Sequence, residues 1–166
     1  MSQKNSLTLA VRALAAVAVF LVVANTTSAG TNYKVLHNFP DSEGAPSTGL
    51  VADAAGNLYG VTSYGGSGHV GTVFELSPVS GGGWKRTVLY DFKGRKDGAT
   101  PYGNLVFDAV GNLYGTTHSG GHGPCDCGTV YELTSRAGGG WQHVVLYRFQ
   151  GGTDGAYPWA GKNGGQ

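Results

Sequence analysis

The residues best suited to chemistry lie in one loop of the second half of the chain. His118, His122, Cys125 and Cys127 offer two imidazole nitrogens and two thiol sulfurs, a ligand set that suits tetrahedral zinc. However, the Cys-x-Cys gap is tighter than the spacing of about two to four residues common in zinc sites, and Pro124 stiffens the loop. We therefore expect neither a metal nor another cofactor here.

Cys125 and Cys127 are the only cysteines of the chain. Three states remain open for them: a local disulfide, two free thiols in a surface loop, or a bond to another chain. The equivalent loop of the first half has His69 as its only candidate ligand, so the architecture does not depend on a metal.

A pair of glutamates is the second candidate for chemistry. Glu75 and Glu132 occupy the same place in two copies of Gly-Thr-Val-Phe/Tyr-Glu-Leu, and paired carboxylates perform glycoside hydrolysis. Positions that recur from copy to copy are normally scaffold. The chain also contains no Gly-x-Ser-x-Gly, no His-Glu-x-x-His and no Gly-rich phosphate loop. We therefore expect no catalytic residues and a protein that is not an enzyme.

These residues must be positioned by a stretch that the chain contains twice. Asp53-Ala-Ala-Gly-Asn-Leu-Tyr-Gly60 recurs as Asp108-Ala-Val-Gly-Asn-Leu-Tyr-Gly115, 55 residues later. In each copy the Asp side chain can accept backbone N–H groups, and Gly and Asn tolerate positive φ, which predicts a tight turn between two strands. The alternative, a calcium site, lacks the alternating oxygen ligands of a calcium loop.

Aromatic residues recur with the same period. Trp84 is equivalent to Trp141, and Tyr59 to Tyr114. In register they could stack on sugar rings, but aromatic side chains also seal one sheet against the next, and we favour packing. The residues assigned to the repeat scaffold are Asp53, Gly56, Asn57, Tyr59, Gly71, Glu75, Trp84, Asp108, Gly111, Asn112, Tyr114, Gly128, Glu132 and Trp141.

The whole pattern predicts an all-β fold. Short runs rich in Val, Thr, Tyr, Phe and Leu predict strands from Tyr33 to Phe39 onward, with almost no helix. Four strands in about 55 residues suit a propeller-like repeat of four-stranded antiparallel blades; a β-solenoid and a twisted two-sheet sandwich are alternatives. The predicted repeat region covers 30–166, with units at about 33–86 and 87–143 and the start of a third at 144–166.

Residues 1–29 have the pattern of a secretory signal peptide. Lys4 and Arg12 precede an apolar run that is too short to span a bilayer, and Thr27-Ser28-Ala29 places small residues at a cleavage site. This predicts a secreted or cell-surface protein, with an uncleaved N-terminal anchor as the alternative. The formal net charge of +1 provides no basic stripe for phosphates, which argues against nucleic acid as a partner.

As a set, the motifs Gly-Asn-Leu-Tyr-Gly, Gly-Thr-Val-Phe/Tyr-Glu-Leu, Gly-Gly-Gly-Trp and Val-Leu-Tyr-x-Phe resemble the GloVer-type tandem repeat. Its members are exported bacterial proteins with differing C-terminal anchors, the choice-of-anchor arrangement. The segments Asp97-Gly-Ala-Thr-Pro-Tyr102 and Asp154-Gly-Ala-Tyr-Pro-Trp159 match it as well. The resemblance implies a propeller-like, all-β extracellular repeat protein, and it transfers no catalytic residue to this chain.

We therefore expect an exported, non-enzymatic β-repeat module for surface display or binding, whose partner is an extracellular ligand or cell-surface component. A propeller-based carbohydrate-active enzyme or lectin is the alternative. After Pro158 the expected apolar strand is replaced by Lys162-Asn-Gly-Gly-Gln166, which predicts a truncated array. An incomplete array leaves an open blade face and a free edge, and both predict self-association.

Overall fold

The computed structural model describes residues 33–123 and 125–158. Within these ranges the chain forms strands and two 3-10 turns, Asp41–Glu43 and Gly152–Asp154, and no α-helix. The strands are β1 (Val51–Ala52), β2 (Leu58–Thr62), β3 (Thr72–Pro78), β4 (Trp84–Asp91), β5 (Ala99–Pro101), β6 (Val106–Phe107), β7 (Leu113–Ser119), β8 (Thr129–Ser135) and β9 (Trp141–Arg148). The all-β prediction is confirmed, whereas the propeller-like arrangement of blades stays a prediction.

Some predictions fall on other parts of the chain. The predicted signal peptide, 1–29, and residues 159–166 lie outside the described residues. In the part of the chain that the structure describes, no helix is long and apolar enough to cross a membrane.

The strands form two antiparallel sheets that follow each other in sequence. The first sheet has the order β1-β2-β3-β4, and the second has the order β5-β7-β8-β9 with β6 also paired to β7. The second sheet therefore has five strands where the repeat predicts four. Its first strand is in two pieces, so that β5 and β6 pair with opposite ends of β7. The first sheet has the same division, with the isolated bridge between Pro46 and Thr62 in the place of β5.

The two sheets share their internal geometry. The pairing of β3 with β4 shifts register between Val73 and Phe74, and the pairing of β8 with β9 shifts between Val130 and Tyr131. These positions are equivalent in the repeat, so the β-bulge is encoded twice. The predicted unit borders fall inside β4 and β9, so one sheet does not coincide with one sequence unit.

The first predicted strand, 33–39, is not a strand in the structure. Val35-Leu-His-Asn-Phe39 is instead a third copy of the segment that recurs as Val88–Phe92 and as Val145–Phe149. Phe39 packs edge-on against Phe74 with ring centroids 5.1 Å apart. Residues 35–39 therefore make the side-chain contact of the repeat but form no strand, since no strand among the described residues pairs with them.

The hydrophobic core lies between the two sheets. The first sheet contributes Tyr59, Val61 and Val73, with Phe92 just beyond its β4 end, and the second contributes residues that are likewise almost fully buried. The second group consists of Leu105, Leu113, Tyr131 and Leu133. The pairing buries one face of each sheet, which an isolated sheet of this size could not do.

The connection from one sheet to the next is also repeated. The backbone N–H of Thr100 donates to the carbonyl of Val70 at 2.8 Å, and the N–H of Tyr157 donates to the carbonyl of Cys127 at 2.7 Å. Pro158, which follows Tyr157, lies against Gly128 as Pro101 lies against Gly71. The segment that follows β9 is therefore already placed as the beginning of a third unit.

Candidate functional site

Asp53 organises the first turn. Its Oδ1 accepts the backbone N–H groups of Ala55 and Asn57, both at 2.9 Å. Its Oδ2 accepts the Asn57 side-chain amide at 2.9 Å and the Tyr59 hydroxyl at 3.0 Å. The second turn repeats the same four bonds, at 2.8 to 3.1 Å, with Asp108, Val110, Asn112 and Tyr114.

These bonds decide what the two aspartates can do. Burial disfavours the charged form of Asp53, but the hydrogen bonds from Asn57, Tyr59 and Ala55 outweigh it and hold the pKa of this carboxyl below its ordinary value. The pKa of Asp108 is lowered in the same way. Because a carboxylate offers about four lone-pair positions, four donors occupy it. Both side chains therefore act as turn acceptors in this geometry.

The two repeated glutamates are held within their own sheets. Glu75 accepts the hydroxyl of Ser77 at 2.6 Å. Glu132 lies 2.9 Å from the hydroxyl of Tyr114 and shares its single proton with Asp108. In the ladders, Glu75 stands opposite Tyr59 and Glu132 opposite Tyr114. The structure thus gives both glutamates the same hydrogen-bonded position on a strand.

A groove of about 370 Å³ lies between the two aspartate turns. Tyr59, Phe107 and Trp141 supply its aromatic lining, and Asp53 and Asp108 lie at it as well. The rings of Tyr59 and Phe107 meet edge to face with centroids 5.0 Å apart, so this part of the lining is fixed by packing. The groove joins residues from both units, which the sequence places 55 positions apart.

Cys125 and Cys127 form a disulfide in the loop that leads into β8. Their Cα atoms are 5.1 Å apart, and Asp126 between them has a left-handed φ of 49°. Cys127 is buried and takes the repeat position of Val70. A methyl group on Gly151 would lie 3.0 Å from the Cys125 sulfur, so the bridge packs directly on that glycine.

The two histidines of the loop have other surroundings. His118 stacks on Tyr157 with ring centroids 5.0 Å apart, and His122 is exposed. Within residues 33–123 and 125–158, no three His, Cys, Asp or Glu side chains are grouped as ligands of a metal would be.

Removing the disulfide by Cys125→Ser together with Cys127→Val, which restores the valine of the first unit, is expected to preserve the fold. Val70 already fills the equivalent position, and a bridge across so short a loop restrains the unfolded chain only modestly, by about 1–2 kcal/mol. Urea denaturation followed by circular dichroism checks this. Loss of cooperative unfolding in the double variant would contradict it.

A buried polar cluster lies at the junction of the two sheets. The His143 ring stacks on Tyr90 with centroids 4.1 Å apart, and the Tyr90 hydroxyl donates to Asp97 at 2.7 Å. His143 Nε2, Asp97 Oδ1 and the Tyr131 hydroxyl are buried without a hydrogen-bond partner among the described residues. Sequence reasoning missed this cluster because the residue equivalent to His143 is Arg86, so the repeat comparison hides it.

Protein stability is expected to fall as the pH drops from about 6.5 to about 4. Burial lowers the pKa of His143 to about 4, despite the opposing charge of Asp97, whereas an unfolded histidine titrates near 6.5. In this window the unfolded chain binds more protons, so acid favours unfolding; above it the effect is absent and below it complete. The ring is partly exposed, which limits the expected loss to the order of 1 kcal/mol.

The measurement for this pH effect is urea denaturation at about pH 7.5 and about pH 4.5. The variant His143→Gln should lose less stability over the interval than the natural chain. An equal loss in both proteins would show that His143 is not the group responsible.

Two sheets with one register, one bulge, one turn network and one junction contact define an all-β tandem-repeat protein. Within that class the chain belongs to the Gloeobacter/Verrucomicrobia repeat family, whose model matches residues 22–165. This confirms the resemblance to GloVer-type repeats. Comparisons with curated proteins and with solved structures found no match.

Proposed function

We propose that the protein is an exported, non-enzymatic β-repeat module that serves surface display or binding. One observation carries this proposal: the acidic side chains that recur in both units are used as hydrogen-bond acceptors of the scaffold. Asp53 and Asp108 each face four donors, Glu75 accepts the Ser77 hydroxyl, and Glu132 shares the Tyr114 hydroxyl with Asp108. A scaffold of this kind leaves its turns and loops to make contact with a partner.

Two experiments test the proposal. Fusing residues 1–29 to a reporter enzyme that is active only outside the cytoplasm should give an active, processed fusion. Incubating the purified chain with cell-wall polysaccharides should release no reducing ends. If reducing ends are released, and if Glu132→Gln abolishes this release without lowering the melting temperature, the protein is a glycosidase and not a binding module.

The groove supports a second candidate function, binding of carbohydrate. Phe107 and Trp141 are partly exposed there and offer apolar rings of the kind on which sugars stack, and the volume of about 370 Å³ suits a small ligand or part of a chain. Since four intramolecular donors already occupy each aspartate, recognition would rest on stacking and on shape.

Trp141→Ala is expected to abolish retention on the polysaccharide that the protein binds, because it removes the largest aromatic surface of the groove. Trp84→Ala is the matched control, since Trp84 holds the same repeat position outside the groove. The measurement is affinity electrophoresis in gels that contain individual polysaccharides. Equal losses in both variants would show that the groove is not the binding site.

A further inference from the structure

The interface between the two sheets joins two different surfaces. The first sheet contributes Tyr59, Val61 and Val73, which are 6%, 1% and 0% exposed. The second sheet contributes its other face, the one opposite to the equivalents of these three residues. On that face Leu105 and Leu113 are 1% and 0% exposed. Each unit therefore has a tail face, like the one that the first sheet uses here, and a head face, like the one that the second sheet uses.

In the same molecule, one tail face is open and one head face is only partly covered. The tail face of the second sheet is formed by Tyr114, Thr116 and Val130, the equivalents of Tyr59, Val61 and Val73, and all three are partly exposed. On the head face of the first sheet, Leu50 is 44% exposed and Leu58 is half-buried, whereas Phe74 and Leu76 are covered. The chain thus carries both halves of an interface that it already forms internally.

We propose that two copies of this chain associate head to tail, the open tail face of one copy packing on the open head face of the other. The internal interface is the template, since it is built from the same repeat positions on both sides. Contact between two different surfaces is heterologous, so it continues into longer assemblies unless the rotation closes a ring. This inference stands independently of export and of any ligand.

The head face carries a cap that must leave. Phe39 packs on Phe74, and the Arg86 guanidinium lies 5.5 Å from the Phe39 ring centroid. Val145–Phe149 of the docking copy carries the same motif, and its Tyr147 is 45% exposed where the equivalent Tyr90 is half-buried. The incoming segment takes the place of the cap.

The exchange is reciprocal. Pro158 of the docking copy, which rests on Gly128, gives way to Pro46 of the receiving copy. Similar contacts are lost and regained at the cap, and burial of the open tail face and of Leu50 provides the net driving force.

Sedimentation velocity over a range of concentrations tests the association with the full chain. The average mass should rise from one chain toward two and beyond. Leu50→Lys blocks the head face and Val130→Lys the tail face, so each variant alone should remain at the mass of one chain. An equimolar mixture should form a two-chain species and nothing larger. Val110→Lys, at a residue 82% exposed on the Asp108 turn, is the matched control and should behave like the natural chain.

Several outcomes would overturn the inference. The natural chain could keep the mass of one chain up to several hundred micromolar, either blocked variant could associate as the natural chain does, or the folded variants could fail to pair when mixed. Phe39→Ala tests the exchange itself. Loss of the cap's anchor should lower the dissociation constant several-fold, and an unchanged or higher constant would show that the cap is not displaced.

Discussion

Gly71→Ala is expected to reduce the free energy of unfolding by about 3 kcal/mol or more. Gly71 has a φ of 106°, a left-handed conformation that costs an alanine about 1–2 kcal/mol. A methyl group there would also overlap the carbonyl oxygen of Thr62 and the ring of Pro101. The Thr62 oxygen is a backbone atom and the Pro101 ring is bonded to its own backbone nitrogen, so no side-chain rotation can relieve the clash.

The control for this prediction is Gly56→Ala. Gly56 also has a left-handed φ, 84°, but a methyl group there would meet no atom within 4 Å. The variant should therefore lose only the conformational part, about 1–2 kcal/mol. Urea denaturation of both proteins measures the difference. If the two variants lose equal stability, the close approach of Pro101 to Gly71 is not what fixes the junction.

The parts of the fold that depend on local chemistry could be predicted from the sequence. The Asp53 turn is encoded within five residues, by a carboxylate, a glycine and an asparagine that can all act on their own backbone. The strand that follows each turn has an apolar pattern, continuous or alternating, that matches the faces it buries. These features recur in both copies, so each copy supports the interpretation of the other.

Features that depend on a neighbouring unit could not be predicted in the same way. Val35–Phe39 has the composition of a strand, but a strand also needs a partner, which no single segment can indicate. The His143 cluster likewise arises only where Tyr90 of one sheet meets β9 of the next.

Phe92→Ala is expected to reduce the free energy of unfolding by about 3–5 kcal/mol. The ring is 0% exposed at the junction of the sheets. It meets Tyr131 with centroids 5.2 Å apart, Tyr90 at 5.1 Å and His143 at 5.6 Å. Removing it leaves a cavity that residues from two sheets would have to fill together, which limits how far the site can collapse.

Phe149→Ala is the matched variant for Phe92→Ala, because Phe149 holds the same repeat position one unit later. Its ring is only partly buried, since its own face of the second sheet is open. We expect a loss of about 1–2 kcal/mol when urea denaturation is performed at a concentration low enough to keep the chain monomeric. The loss of unfolding free energy in Phe149→Ala should thus be about half of that in Phe92→Ala or less, because only the Phe92 copy of the motif has a second sheet packed against it. Equal losses at that concentration would mean that the open face is covered within a single chain.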